Sequence, residues 1–253
     1  MTRIILNGCN GKMGQVITRL AAEDDMCEIV AGFDINDCLP NTYPVFTEPN
    51  KCGVEADVII DFSHPSALAG LLDYAKKKKL PVVIATTGLS SEQRAELTEL
   101  SKSIAVFFSA NMSLGINLLI ALAKKAAAVL SETFDIEIVE QHHNQKLDAP
   151  SGTALAIADA IAETMDSPSE YVYDRHSVRR KRRKKEIGLH AVRGGTIVGK
   201  HNIIFAGQDE IIELSHEAAS KEVFAAGSLK AAKFMKGKTK GYYSMTELIG
   251  ELI

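Results

Sequence analysis

Ile4-Ile5-Leu6-Asn7-Gly8-Cys9-Asn10-Gly11-Lys12-Met13-Gly14 is the stretch that decides the fold. A short apolar run ends at Asn7, glycines follow at 8, 11 and 14, and residues 13–23 carry helical periodicity. Strand, glycine loop and helix in that order suit a dinucleotide pyrophosphate. It needs a tight turn, backbone N–H groups open to close approach, and the partial positive charge of a helix start. Asn10 stands where the usual G-x-G-x-x-G pattern has its middle glycine, and Asn is the next residue most tolerant of left-handed angles. Asp34 ends the second apolar run, about 20 residues past the loop, where an acid hydrogen-bonds the adenine ribose hydroxyls. Its neighbours Ile35, Asn36 and Asp37 bring no cation for a 2′-phosphate. That favours NADH over NADPH, with Lys12 the one loop cation that could reach such a phosphate.

Outward from the loop, short β-branched runs alternate with helical patterns: strands at 28–33, 58–61, 82–85 and 104–108, helices at 65–77 and 91–103, the last with Ser91 as N-cap. The rhythm predicts βαβ units, hence an α/β fold with a Rossmann-like parallel sheet and helices on both its faces. Ligands of such sheets bind beyond the carboxyl ends of the strands, so Thr86, Thr87 and Gly88, and Ser109, Ala110 and Asn111, are placed to border a nicotinamide. The apolar stretch 114–130 contains Asn117, Lys124 and Lys125, too short and too charged to span a bilayer, and reads as a buried helix. Residues 134–140 then alternate apolar and acidic, as in a strand with one wet face. Alternation returns at 190–192, 197–205 and 210–215, which predicts a mixed or antiparallel sheet in a smaller α+β domain. Residues 223–235 and 243–252 read as helices.

Composition excludes several function classes. The chain has 253 residues, 46% hydrophobic and 24% charged, with net charge -3 and pI near 6.2, so nothing global draws it to nucleic acid or an anionic membrane. Cys9, Cys27, Cys38 and Cys52 show no C-x-x-C spacing and are expected to be reduced cytoplasmic thiols. No secretory segment is read at residues 1–6. The basic run RRKRRKK at 179–185 has no interleaved aromatics and reads as a mobile, solvated loop between two strands. A modest part in attracting an anionic substrate stays open.

The chemistry concentrates in Glu140-Gln141-His142-His143-Asn144-Gln145-Lys146-Leu147-Asp148-Ala149-Pro150-Ser151-Gly152-Thr153, followed by an apolar helix over 154–162. Adjacent histidines on a strand point to opposite faces and can serve one site only if the chain turns, which Asn144 and Gln145 allow. Lys146 then returns toward them, giving two imidazoles and an ammonium suited to proton transfer. Ser151, Gly152 and Thr153 open the next helix, where free N–H groups and short hydroxyls can receive a carboxylate or phosphate. Neighbouring histidines rarely converge on one ion and no further ligand lies at suitable spacing, so no metal is expected.

With these stretches in view, the chain resembles the 4-hydroxy-tetrahydrodipicolinate reductase (dihydrodipicolinate reductase) family. The likeness rests on G-x-x-G-K-M-G at 8–14, ATTG at 85–88, SANMSLG at 109–115, HHNQKLDAPSGT at 142–153 and HAVRGGTIVG at 190–199. The resemblance implies NAD(P)H-dependent reduction of a cyclic imine dicarboxylate with loss of water, in lysine and diaminopimelate biosynthesis. It implies His142 and Lys146 as catalytic, with His143, Gly152 and Thr153 on the substrate, to which the helix start itself adds Ser151. It further implies cofactor contacts from Gly8, Cys9, Asn10, Gly11, Lys12, Met13, Asp34, Ala85, Thr86, Thr87, Ser109, Ala110, Asn111 and Met112. The implied domains are 1–112 with 223–253 for the dinucleotide, and 113–222 for substrate and for assembly into a homotetramer. Two other functions fit parts of the sequence: a different nicotinamide enzyme, such as a semialdehyde or amino-acid dehydrogenase, and a dinucleotide sensor that uses 179–185 on nucleic acid.

Overall fold

The computed structural model describes residues 1–165 and 168–252. Along the chain run β1 (Thr2–Asn7), α1 (Lys12–Ala22), β2 (Cys27–Phe33), β3 (Val45–Phe46), β4 (Val58–Asp61), α2 (Leu68–Lys78), β5 (Val82–Ile84), α3 (Ser91–Leu100), β6 (Ala105–Phe108) and α4 (Leu114–Leu130). Then follow β7 (Asp135–His142), α5 (Gly152–Ala162), β8 (Glu170–Val172), β9 (Glu186–Arg193), β10 (Gly199–Ala206), β11 (Ile211–Ala218), α6 (Glu222–Met235), β12 (Gly241–Tyr243) and α7 (Met245–Leu252). They form two compact units, Met1–Leu114 with the segment from Glu222 onward, and Gly115–Lys221.

The first unit holds a parallel sheet in the order β12-β6-β5-β4-β1-β2-β3. Alternate strand residues serve opposite layers: Ile4, Leu6, Ile60 and Phe107 pack with α1, α6 and α7, while Ile5, Ile59, Ile84 and Val106 pack with α2 and α3. Burial on both faces explains why β1, β4 and β5 read as unbroken apolar runs. Since β1 pairs with β2 on one side and β4 on the other, the crossovers leave it in opposite directions. The carboxyl ends of β1 and β4 therefore mark the switch point where such sheets bind ligands.

The second unit is a mixed sheet, β11-β10-β7-β9-β8, in which β7 runs parallel to β9 and antiparallel to β10. Helices α4 and α5 cover one face through Ile116, Leu119, Ile157 and Ile161, against Ile136 and Ile138 of β7 and Ile203 and Phe205 of β10. The side-chain period of two carries that covered face onward to Glu140 and His142, which are buried too. Asp135 and Glu137 point the other way.

Several sequence expectations need correction. The N-cap of α3 is Ser90, not Ser91: its Oγ accepts from Gln93 N–H and its own N–H donates to the Gln93 side chain, and the helix stops at Leu100. Tyr243 is in a strand, because pairing with Ala105–Phe107 holds 241–243 extended before α7 begins. Helix α4 is buried on one side only, with Val129 79% exposed. Asn10 takes no positive φ; the left-handed residue of the loop is Gly8, at φ +81°. The run 179–185 is not simply solvated: Arg182 reaches Glu137 and Asp135, each at 2.9 Å, and Arg180, with Arg175 from outside the run, pairs with Glu186. Hydrogen bonds from Arg175, against the opposing effect of burial and helped by Arg180, hold the Glu186 carboxyl down at about 2. Among the described residues no helix is long and apolar enough to cross a membrane.

The α1 packing yields a stability test. A Cβ on Gly14 would stand 2.2 Å from the Gly8 carbonyl oxygen and 2.6 Å from that of Cys9, both backbone atoms that cannot yield cheaply. Gly14→Ala is expected to lower unfolding free energy by about 3 kcal/mol in urea titration. Gly70→Ala in α2, where a Cβ meets nothing within 4 Å, is expected to raise it by up to about 1 kcal/mol.

Candidate active site

A cleft of about 720 Å³ opens off the ends of β1, β2 and β4, lined by Gly8, Asn10, Gly11, Asp34, Ser63 and His64 among others. Its floor tolerates no side chain at residue 8, since a Cβ there would meet the Phe62 carbonyl oxygen at 2.7 Å. Gly11 starts α1 without a side-chain cap, which leaves its first N–H groups to water or a ligand. Asp34 accepts from the N–H groups of Asn10 at 2.9 Å and Ile35 at 2.8 Å, so the acid and the loop fix each other. The Asn10 side chain is itself pinned by Asn36 and Asn41. A glycine cradle, an uncapped helix start and an acid at the β2 end fit a dinucleotide. Ile35 is 92% exposed and presents no charge there.

Other expected cofactor residues lie outside the lining of that cleft. The Cys9 thiol is buried against Gly32 and pushed up to about 12 by burial and then by Asp34, so only its backbone is available to a ligand. Lys12 is exposed and Met13 half-buried. At the β5 end Ala85 is buried, Thr87 exposed, and Thr86 donates to Asp61 at 2.7 Å. At the β6 end Ser109 donates to the Asn111 carbonyl at 2.7 Å, Ala110 is exposed, and Met112 is buried beneath α6, where its carbonyl leaves no room for a Cβ on Gly227.

In the second unit the residues of 140–153 converge on two carboxylates. The turn expected at Asn144 and Gln145 forms, closed by Lys146 N–H to the His143 carbonyl at 3.2 Å. It brings Lys146 Nζ to 2.8 Å from Asp148, whose other oxygen accepts from Gly152 N–H at 3.3 Å. The Lys146 hydrogen bond holds the Asp148 carboxyl below its usual range. Lysine and helix start thus grip a carboxylate together, one supplied by the chain itself. His143 is half-buried at the turn, as is Thr153 one residue into α5.

The other carboxylate, Glu140, has no exposure. It accepts from His142 Nδ1 at 2.6 Å, Ser151 N–H at 3.0 Å, and both terminal nitrogens of Arg193 at 2.8 and 2.7 Å. Burial alone would raise its carboxyl, but the hydrogen bonds from Arg193, His142 and Ser151 hold it below the usual range. Ser151 Oγ caps α5 at Ala154 N–H and meets His201 Nε2 at 3.2 Å. His201 is buried edge-on to His142, at a 5.2 Å ring separation. Burial and then the neighbouring His142 push it down to about 4, so it is neutral near pH 7. On the far side of His142, a Cβ on Gly199 would stand 3.1 Å from Nε2.

Glu140, Arg193 and His201 escaped the sequence reading, as did Ser63 and His64 at the cleft. A signal existed for Glu140: it continues the apolar register Phe134, Ile136, Ile138, where a carboxylate needs a buried partner. Arg193 and His201 are supplied by strand register, opposite His142 on β9 and Glu140 on β10.

The chain is similar to known proteins over nearly its whole length. Residues 2–112 match the model of the dihydrodipicolinate reductase N-terminus, and residues 115–249 that of its C-terminus. A 4-hydroxy-tetrahydrodipicolinate reductase of Caldanaerobacter subterraneus is 56% identical over 98% of both chains. One of Clostridium tetani is 52% identical over 97% of this chain and 96% of its own. The dipicolinate-bound dihydrodipicolinate reductase structure from Paenisporosarcina sp. TG-14 superposes with a TM-score of 0.82 at 27% identity, covering 96% of this chain and 98% of its own. A probable dehydrogenase of Thermotoga maritima, 11% identical with a TM-score of 0.60 over 99% of this chain and 93% of its own, shares the fold. The chain belongs to the dihydrodipicolinate reductase family.

Proposed function

We propose that the protein reduces (2S,4S)-4-hydroxy-2,3,4,5-tetrahydrodipicolinate to tetrahydrodipicolinate with loss of water, a step of L-lysine and diaminopimelate biosynthesis. The observation that carries this reading is the Asp148 carboxylate gripped by Lys146 and Gly152 N–H, beside a histidine paired with a buried acid. Lys146, His143 and the start of α5 at Gly152 and Thr153 hold the carboxylates of the ring. Ser151, committed to its cap, acts by fixing that helix start. The dinucleotide, held in the first unit by Gly8, Cys9, Asn10, Gly11, Lys12, Met13, Asp34 and the ends of β5 and β6, supplies hydride. Hydride addition leaves electron density on the substrate ring, and His142 or Lys146 provides the compensating proton. In this reading the first unit is the dinucleotide domain, and the second binds substrate and assembles a homotetramer through its sheet. The reduced thiols of Cys9, Cys27, Cys38 and Cys52 suit a cytoplasmic setting.

For the cofactor we infer that NADH is used at least as well as NADPH. Asp34 faces the cleft without a cation beside it in the chain, so a 2′-phosphate would add like charge there, with Lys12 as the one cation of the glycine loop to offset it.

Two measurements test these readings. Substrate generated in place from pyruvate and aspartate semialdehyde should be reduced with oxidation of either dinucleotide, and replacing both His142 and Lys146 should cut turnover by about 10² or more while dinucleotide affinity holds. Normal turnover in the double variant would overturn the assignment. Ile35→Arg should move the NADPH to NADH ratio of kcat/KM upward by about tenfold, the worth of one hydrogen bond to a charged group. An unchanged ratio would remove Ile35 as the selecting position.

A further inference from the structure

We propose that Glu140 is a positioning residue: its carboxylate holds the proton of His142 on Nδ1 and, through the same two oxygens, locks the start of α5. The proton donor and the helix end that receives the substrate carboxylate then keep one geometry. The proposal rests on the reading of His142 as a proton-transferring group.

The argument is an accounting of donors. One Glu140 oxygen faces His142 Nδ1 at 2.6 Å and Arg193 at 2.8 Å, and the other faces Ser151 N–H at 3.0 Å and Arg193 at 2.7 Å. An ionised carboxylate only accepts, so Nδ1 must donate. The lone pair, or the exchangeable proton, is then confined to Nε2, the nitrogen that faces the side-chain-free surface of Gly199. The charged and titratable groups around this centre come from each packed strand: His142 from β7, Arg193 from β9, and His201 from β10, directly across from Glu140. Arg193 also donates to the Asp148 carbonyl at 2.7 Å, so the loop bearing Lys146 is tied to the same point.

Glutamine discriminates this role from simple bulk. Its amide keeps the shape of the acid but offers one acceptor and one donor. If the oxygen stays with Ser151 N–H, the NH₂ faces Nδ1 and drives the ring proton to Nε2.

The test begins with the unaltered full-length protein, whose ring nitrogens are read by long-range ¹⁵N–¹H NMR, with Glu140→Gln and His142→Gln spectra for comparison. The expected result is a His142 whose neutral tautomer carries its proton on Nδ1, reversed in Glu140→Gln. Wild-type His142 found with its proton on Nε2 overturns the proposal, and this holds even if the variant does not fold. In kinetics, Glu140→Gln should lose about 10² in kcat, with KM and dinucleotide affinity changed less than about threefold. A loss confined to KM, or full kcat, overturns it. Full turnover in His142→Gln would instead sink the reading of His142, so the two failures are told apart.

Discussion

Keeping the Glu140 carboxylate ionised out of water is the constraint around which the second unit is arranged. Removing such a charge from solvent costs several kcal/mol, and only well-placed donors offset it. Arg193 offers a two-pronged pair from β9, His142 a ring N–H from β7, the strand of Glu140 itself, and Ser151 the amide that precedes α5. Three elements are thereby tied to one group. Apolar residues of the same volume would be about as stable, and loss of one partner would cost about 3–5 kcal/mol. What the ions add is direction: a fixed ring face, a fixed helix start and a fixed loop.

The first unit solves a related problem with neutral donors. Asp61 ends β4 with no exposure and accepts from the Asn7 side chain at 2.7 Å, the Ser63 N–H and hydroxyl at 3.1 and 2.6 Å, and Thr86 at 2.7 Å. Those donors sit just beyond or at the ends of β1, β4 and β5, the strands whose carboxyl edge carries the ligand cleft. Each loop leaves the sheet from a common hydrogen-bonded point, so the glycine turn after Asn7 is braced from behind. The helix start at Gly11, uncapped by any side chain, keeps its donors for an anion.

Hydrophobic period made the strands that lie inside each sheet legible, because burial is written in their own residues. The short edge strands were not legible, whereas the eight-residue edge strand β11 was. β3 has two residues, and β8 and β12 three each, and they are extended through pairing with Phe33, Glu186 and Ala105 rather than by any pattern of their own. By its own pattern Tyr243 therefore reads as part of the helix that follows it. The His142–Thr153 segment announced its chemistry because lysine, histidines and helix start are close in the chain. Arg193 and His201 reach Glu140 only through strand register, which no local spacing encodes. The Arg175–Arg182 contacts to Glu137 and Glu186 were hidden for the same reason.

Exposure separates the two carboxylates of the candidate site. Asp148 has a side chain 55% exposed and is held by Lys146 and one backbone amide, an arrangement worth about 0–1 kcal/mol in water. Any ligand carboxylate that takes those two donors must displace Asp148, and the displaced group returns to solvent at little cost. Glu140 has no solvent to return to, and four donors would be orphaned by its departure. The same chemical group is therefore a placeholder at one end of the loop and a permanent fixture at the other. On the proposed function, differential affinity for a substrate carboxylate would arise from the first, and the geometry in which that substrate is met from the second.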